Sequence, residues 1–173
     1  LILRDCAMSH SNAGNGGTIS LTSFARLYGS DMVIDYGWAS GNGGAIKAYD
    51  TSHIEISDSL ITNGRADQGG AMWVSERCLL TMTNVTISDT LVILEGGGIF
   101  SSLSQLQVHN CRFLRNQASQ GGGIFMIGKS ELVASNLQFT SNSIWAGETL
   151  VAAGAAMNVI ESTVKWTGGT MRE

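Results

Sequence analysis

The chain has 173 residues with 22 glycines, no proline, 14% charged and 43% hydrophobic side chains; this excludes a disordered segment, which needs low hydrophobicity and high net charge, and a collagen-like one, which needs a three-residue glycine period. A net charge of −4 and a pI near 5.3 argue against a nucleic-acid-binding face, which would show clustered Lys and Arg. The length suits one domain, and no run reaches the ~18 apolar residues of a membrane-spanning helix, so no membrane insertion is expected of this segment.

Leu1-Ile2-Leu3-Arg4-Asp5-Cys6 opens the chain in the middle of a unit that returns at Leu106 to Cys111. The expected organisation is therefore a single β-helix segment over residues 1–173, part of a longer array, because an uncapped end of stacked strands exposes unpaired backbone. The first corner follows at Gly16-Gly17-Thr18-Ile19. It recurs as Gly43-Gly44-Ala45-Ile46, Gly69-Gly70-Ala71-Met72, Gly96-Gly97-Gly98-Ile99 and Gly121-Gly122-Gly123-Ile124, with a degenerate sixth copy expected at Gly147-Glu148-Thr149-Leu150. The spacings run from 25 to 27 residues. A second motif keeps the same phase: Cys111-Arg112-Phe113-Leu114-Arg115-Asn116 and Leu137-Gln138-Phe139-Thr140-Ser141-Asn142 each end five residues before a glycine copy, and Cys6 to Ser11 and Ser59 to Gly64 repeat the placement.

Between the corners, apolar and polar residues alternate with a step of two, as in Ile54-Glu55-Ile56, Leu80-Thr81-Met82, Leu106-Gln107-Val108 and Leu132-Val133-Ala134. That is a strand period, and helical repeats of 33 to 47 residues are excluded by the repeat length as well. Each period then holds three short strands: one after the glycine pair, one in the middle and one around Phe-x-x-Asn. The fold class expected is all-β, a right-handed parallel β-helix of about six to seven coils, in which each coil buries its apolar face only by stacking on its neighbours.

The inward positions form columns: Ile19, Ile46, Met72, Ile99, Ile124 and Leu150; Leu21, Ala48, Val74, Ser101, Met126 and Ala152; and Met8, Ile61, Ile87, Phe113 and Phe139. Polar columns are expected too, with Asp5, Asp58, Asn110 and Asn136 at one turn and Asn12, Asn116 and Asn142 at the next, bonding along the stack. Glycine at the corners meets a need for positive φ or close backbone approach.

Paired Gly-Gly-(small)-(aliphatic) and Phe-x-x-Asn elements, best seen in Phe113 to Asn116 with Gly121 to Ile124, Phe139 to Asn142 and Gly43 to Ile46, resemble the repeats of chlamydial polymorphic outer-membrane proteins, which are pectin-lyase-like. The resemblance implies a secreted or surface-displayed passenger with adhesive roles, hence an extracellular or cell-surface location. In the bacterial case it implies export through a C-terminal membrane β-barrel, of which these residues carry no strands. The chain departs from the pattern where Met8, Ile61 and Ile87 replace Phe and Glu148 replaces the second Gly.

Several apparent sites have structural readings. Gly123-Ile124-Phe125-Met126-Ile127-Gly128-Lys129-Ser130 has phosphate-loop spacing, but a cradle needs a strand, a small-residue loop and a helix, and its middle is in register with the other post-glycine strands. The acids Asp31, Asp35, Asp50, Glu55, Glu76 and Glu131 are scattered, where glycoside hydrolysis needs two converging carboxylates; Glu55 and His53 share what reads as a solvated face. Cys6 and Cys111 fall in one column four coils apart, ~19 Å at strand spacing, too far for a disulfide, and Cys78 reads as another small buried hydrophobe. With His10, His53 and His109 away from Cys ligand spacing, no metal and no cofactor are expected.

Two surface features point to function. The residue after each aliphatic is Ser20, Lys47, Trp73, Phe100, Phe125 and Val151, so Trp73, Phe100, Phe125 and Val151 are the candidate interface, since contiguous apolar patches mark contact surfaces. Asn84-Val85-Thr86 is a glycosylation acceptor pattern, with Asn84 at a turn. The function expected is a non-catalytic surface for adhesion or assembly with a protein partner or another copy of itself, with carbohydrate as a further ligand class; the competing expectation is a carbohydrate-active β-helix enzyme.

Overall fold

A computed structural model, describing residues 1–144 and 154–172, shows a right-handed parallel β-solenoid. Every strand pairing is parallel, and each links residues one coil apart: Ile46 lies between Ile19 and Met72, and Ile99 between Met72 and Ile124. The expected all-β architecture is the one the chain adopts.

Three sheets line the solenoid. The largest is bent: it contains continuous strands such as Arg26–Asp35 and Glu131–Thr140, and split ones such as Gln105–His109 and Arg112–Leu114. The bend falls at Asp5, Asp31, Asp58, Asn84, Asn110 and Asn136, all in the left-handed region with φ between 47° and 56°. Asp and Asn tolerate this conformation better than other side-chain-bearing residues. Asn84 Nδ2 donates to Asp58 Oδ1 at 3.0 Å and Asn136 Nδ2 to Asn110 Oδ1 at 3.0 Å, so this polar column does bond along the stack.

The second sheet is made of two-residue strands, among them Asn12–Ala13, Trp38–Ala39, Arg65–Ala66, Leu91–Val92 and Gln117–Ala118. The third follows the glycines, with Ile19–Leu21, Ile46–Ala48, Met72–Ser75, Ile99–Ser102, Ile124–Ile127 and Met157–Val159. The two glycines between these sheets do different work. The first holds a positive φ, as at Gly43 (70°) and Gly96 (69°). The second lies against the two-residue sheet: a Cβ on Gly97 would strike the Gly122 carbonyl and stand 2.9 Å from the Gln117 nitrogen. The column opposite is correspondingly small, and Ala39, Ala66, Val92 and Ala118 form a minor core apart from the main one.

The main core joins the columns expected from alternation, with Leu27, Ile54, Leu80, Leu106 and Leu132 on the bent sheet. Phe113 and Phe139 stack at 4.9 Å with their rings 13° apart, and Ile34 fills the third-strand column between Met8 and Ile61. Each fully buried side chain of this size contributes roughly 1.5–3 kcal/mol, and only because the adjoining coils cover it.

Two register expectations need correction. Met157, Asn158 and Val159 lie opposite Ile124, Phe125 and Met126, where Leu150, Val151 and Ala152 were expected. The last corner glycine is Gly154, with φ 61°, and the final coil is longer than its predecessors by several residues; the expected copy at Gly147 to Leu150 lies outside the described residues. Asn12, in turn, pairs with Trp38 and stands one position beyond the Asn116 column. That column begins with Ser11, whose carbonyl accepts from Trp38 N as the Asn116 carbonyl accepts from Ser143 N.

Candidate functional site

The proposed aromatic column exists, but it is not an open patch. Trp73, Phe100 and Phe125 stand in register and stack at 5.9 and 5.5 Å with interplanar angles of 4° and 16°. Phe100 and Phe125 are only 6% and 3% exposed. The cause is the repeat itself: strand spacing of ~4.8 Å is close to ring-stacking distance, so in-register aromatics cover one another's faces. Lys47 closes one end, its Nζ 5.3 Å from the Trp73 ring, and Trp73 Nε1 donates to Gln68 Oε1 at 3.3 Å. Alternation shows that these side chains point away from the main core, but not that they cover one another. Val151 lies outside the described residues.

An exposed apolar strip does occur on the two-residue sheet, which sequence reading did not single out. Trp38, Leu91 and Ile93 are 45%, 39% and 54% exposed, and they border a groove of about 350 Å³ with Ala39, Ala66 and Val92 in its lining and Arg65 and Asp67 beside them. A second hollow adjoins it, sharing Trp38 and Arg65 and reaching Tyr36 and His10, whose rings stack at 5.0 Å. The signal was available: Asn12, Trp38, Arg65, Leu91, Gln117 and Ser143 recur directly after the Asn116 column. Two-residue strands have too little length to show alternation, so this column carries no period-two pattern.

The buried polar groups serve the stack. Asn116 Nδ2 donates to the Ile87 carbonyl at 3.0 Å and to Asn142 Oδ1 at 3.1 Å, while its Oδ1 accepts from Thr90 N at 3.2 Å. A serine column does similar work, with Cys78 N donating to Ser104 Oγ at 3.2 Å, Ser104 N to Ser130 Oγ at 3.3 Å and Ser130 N to Ser162 Oγ at 3.1 Å. Ser130 ends the stretch with phosphate-loop spacing, whose Ile124–Ile127 is a strand; no helix follows it, so no phosphate cradle forms.

Among the described residues the titratable groups are spread out. His53 and Glu55 share the outer face of one strand, with the His53 ring 6.0 Å from that of Tyr28. Asp89 and Arg115 form a two-point pair at 2.7 Å, and the Arg115 hydrogen bond lowers the Asp89 pKa. Burial raises the Cys78 thiol and pushes Cys111 up to about 11; all three cysteines are free. Among the described residues no group of three or more His, Cys, Asp or Glu could hold a metal ion. Asn84 is exposed at its bend, where its Nδ2 donates to Asp58, and Val85 is buried inward.

These columns and corners define a solenoid built of repeating coils, and sequence comparison agrees. The family of the right-handed β-helix region matches residues 2–165, and the chain belongs to it. No curated protein matches the chain, and no solved structure does.

Proposed function

We propose that the chain is a non-catalytic β-helix segment that acts at the cell surface or outside the cell as a binding and assembly surface. The observation that supports this best is the groove on the two-residue sheet: Trp38, Leu91 and Ile93 are held in water on a rigid sheet, although apolar exposure of this kind is usually kept only where something covers it. The likeness to polymorphic outer-membrane repeats favours the same reading and adds adhesion to it. Asn84, exposed at its bend, takes a glycan if the chain passes through a glycosylating secretory route.

The test has two arms. Trp38→Ser together with Ile93→Ser is expected to abolish association with other protein, itself included, at unchanged fold by circular dichroism. Incubation with acidic polysaccharides and calcium is expected to give no unsaturated or reducing products. Turnover that disappears in Glu55→Gln, the residue beside His53 and Tyr28, would overturn the reading in favour of a carbohydrate-active enzyme.

A further inference from the structure

The groove on the two-residue sheet has an internal complementarity that names its occupant. Each of its strands carries one groove-lining residue and the bend after it carries a second, on either side of a buried small residue: Trp38 and Ser40 about Ala39, Arg65 and Asp67 about Ala66, Leu91 and Ile93 about Val92. The ion pairs among the described residues are Arg115 with Asp89 and Lys165 with Glu131. Arg65 on its strand and Asp67 in the bend after it both line the groove, and they therefore present opposite charges there with no ion-pair partner on the described residues of their own chain.

We infer that this face binds a second copy of the same chain, the two solenoids lying side by side with their coils in register about a two-fold axis parallel to the solenoid axis. That axis reverses the strand direction and keeps the coil order, so residues on either side of the small column exchange partners. Arg65 of one copy meets Asp67 of the other, and the reverse, giving two charge pairs. Leu91 meets Ile93, and the indole of Trp38 meets the small Ser40, so charge, apolar area and size match across three consecutive coils.

The alternative two-fold axis, along the strands, sets Arg65 against Arg65 and Asp67 against Asp67. Like charges in contact disfavour it, so electrostatics selects the orientation. An isologous contact of this kind closes on itself and yields a dimer rather than a fibre. The inference deepens the assembly reading above, rests on it for the groove being a contact surface, and goes further in naming the partner.

The experiment uses analytical ultracentrifugation of the whole chain. The wild type is expected to dimerise reversibly in the micromolar range, and Arg65→Asp or Asp67→Arg alone to weaken self-association at least about tenfold, since each places like charges face to face. An equimolar mixture of the two variants is expected to recover it as a heterodimer, because one variant then carries acids at both paired positions and the other carries bases at both. The double exchange in one chain recovers it as well. Both side chains reach the surface, and unchanged circular dichroism and melting serve as the folding control. A wild type that is monomeric at ~0.5 mM, far above the micromolar range that is ~8 kcal/mol of association, overturns the inference, as do single reversals that associate normally or a mixture that fails to recover. A monomeric wild type that still binds a different protein through Trp38 sinks the self-pairing while leaving the surface reading intact.

Discussion

Asn116 shows how a single polar residue ties coils together. It is fully buried, and truncation leaves the Thr90 N–H, the Ile87 carbonyl and Asn142 short of partners. Asn116→Ala is expected to lower stability by about 2–4 kcal/mol, since an orphaned buried group costs its desolvation penalty; urea unfolding measures it. Cys111 behaves in the opposite sense, as a thiol kept neutral. Its pKa is raised by burial to about 11, so its contribution to stability is complete below the ordinary thiol value and is lost as pH climbs through that value towards 11. Urea midpoints should therefore fall between pH 8 and pH 10.5, and fall less in Cys111→Val, a change the column accepts because Val85 occupies the same place one coil earlier. Iodoacetamide at pH 8 should modify the half-buried Cys6 before Cys78 and Cys111 in the native protein, and all three in urea. Asp89, whose folded pKa is lowered by Arg115, contributes on the acid side: its share is present above the ordinary Asp value and lost as pH falls through the lower folded one.

At the scale of the element, the glycine corner is the most demanding piece. Gly97→Ala forces a methyl into the backbone of the two-residue sheet and the next coil, with no flexible side chain to give way. The expected cost exceeds about 3 kcal/mol, the range in which strain at a special backbone position becomes severe. Gly14 is the control, since a Cβ there meets nothing within 4 Å; Gly14→Ala should change stability by less than about 1 kcal/mol and with a stabilising sign. Thermal melts of the pair separate a steric corner from a general intolerance of glycine replacement. The phenylalanine stack is less exacting: Phe113→Leu leaves a partly filled cavity beside Phe139 and is expected to cost about 1–3 kcal/mol.

For the whole molecule, stability follows from nearest-neighbour stacking, because each coil contacts only those above and below. Backbone amides of the strands at Ile99–Ser102 and Gln105–His109, covered by coils on both sides, should exchange only when the stack opens, and so more slowly than unpaired amides of the turns; hydrogen exchange read by mass spectrometry tests this. The proposed self-pairing through Arg65 and Asp67 would add a second level of association without altering the stack.

Period and alternation are properties of the chain, and they were enough to determine the coil, its inward columns from Ile19 to Ile124 and the glycine corners, since a strand's side-chain direction depends only on residue parity. Tertiary structure alone decided which outward residues meet water. Phe100 and Phe125 face away from the main core yet are hidden by in-register neighbours, while Trp38, Leu91 and Ile93 stay open on strands too short to leave a pattern. It also decided the register of the last coil, where Gly154 takes the corner that spacing assigned to Gly147. Register there is set by Met157–Val159 pairing with Ile124–Ile127 across space, which the spacing of the earlier corners does not carry.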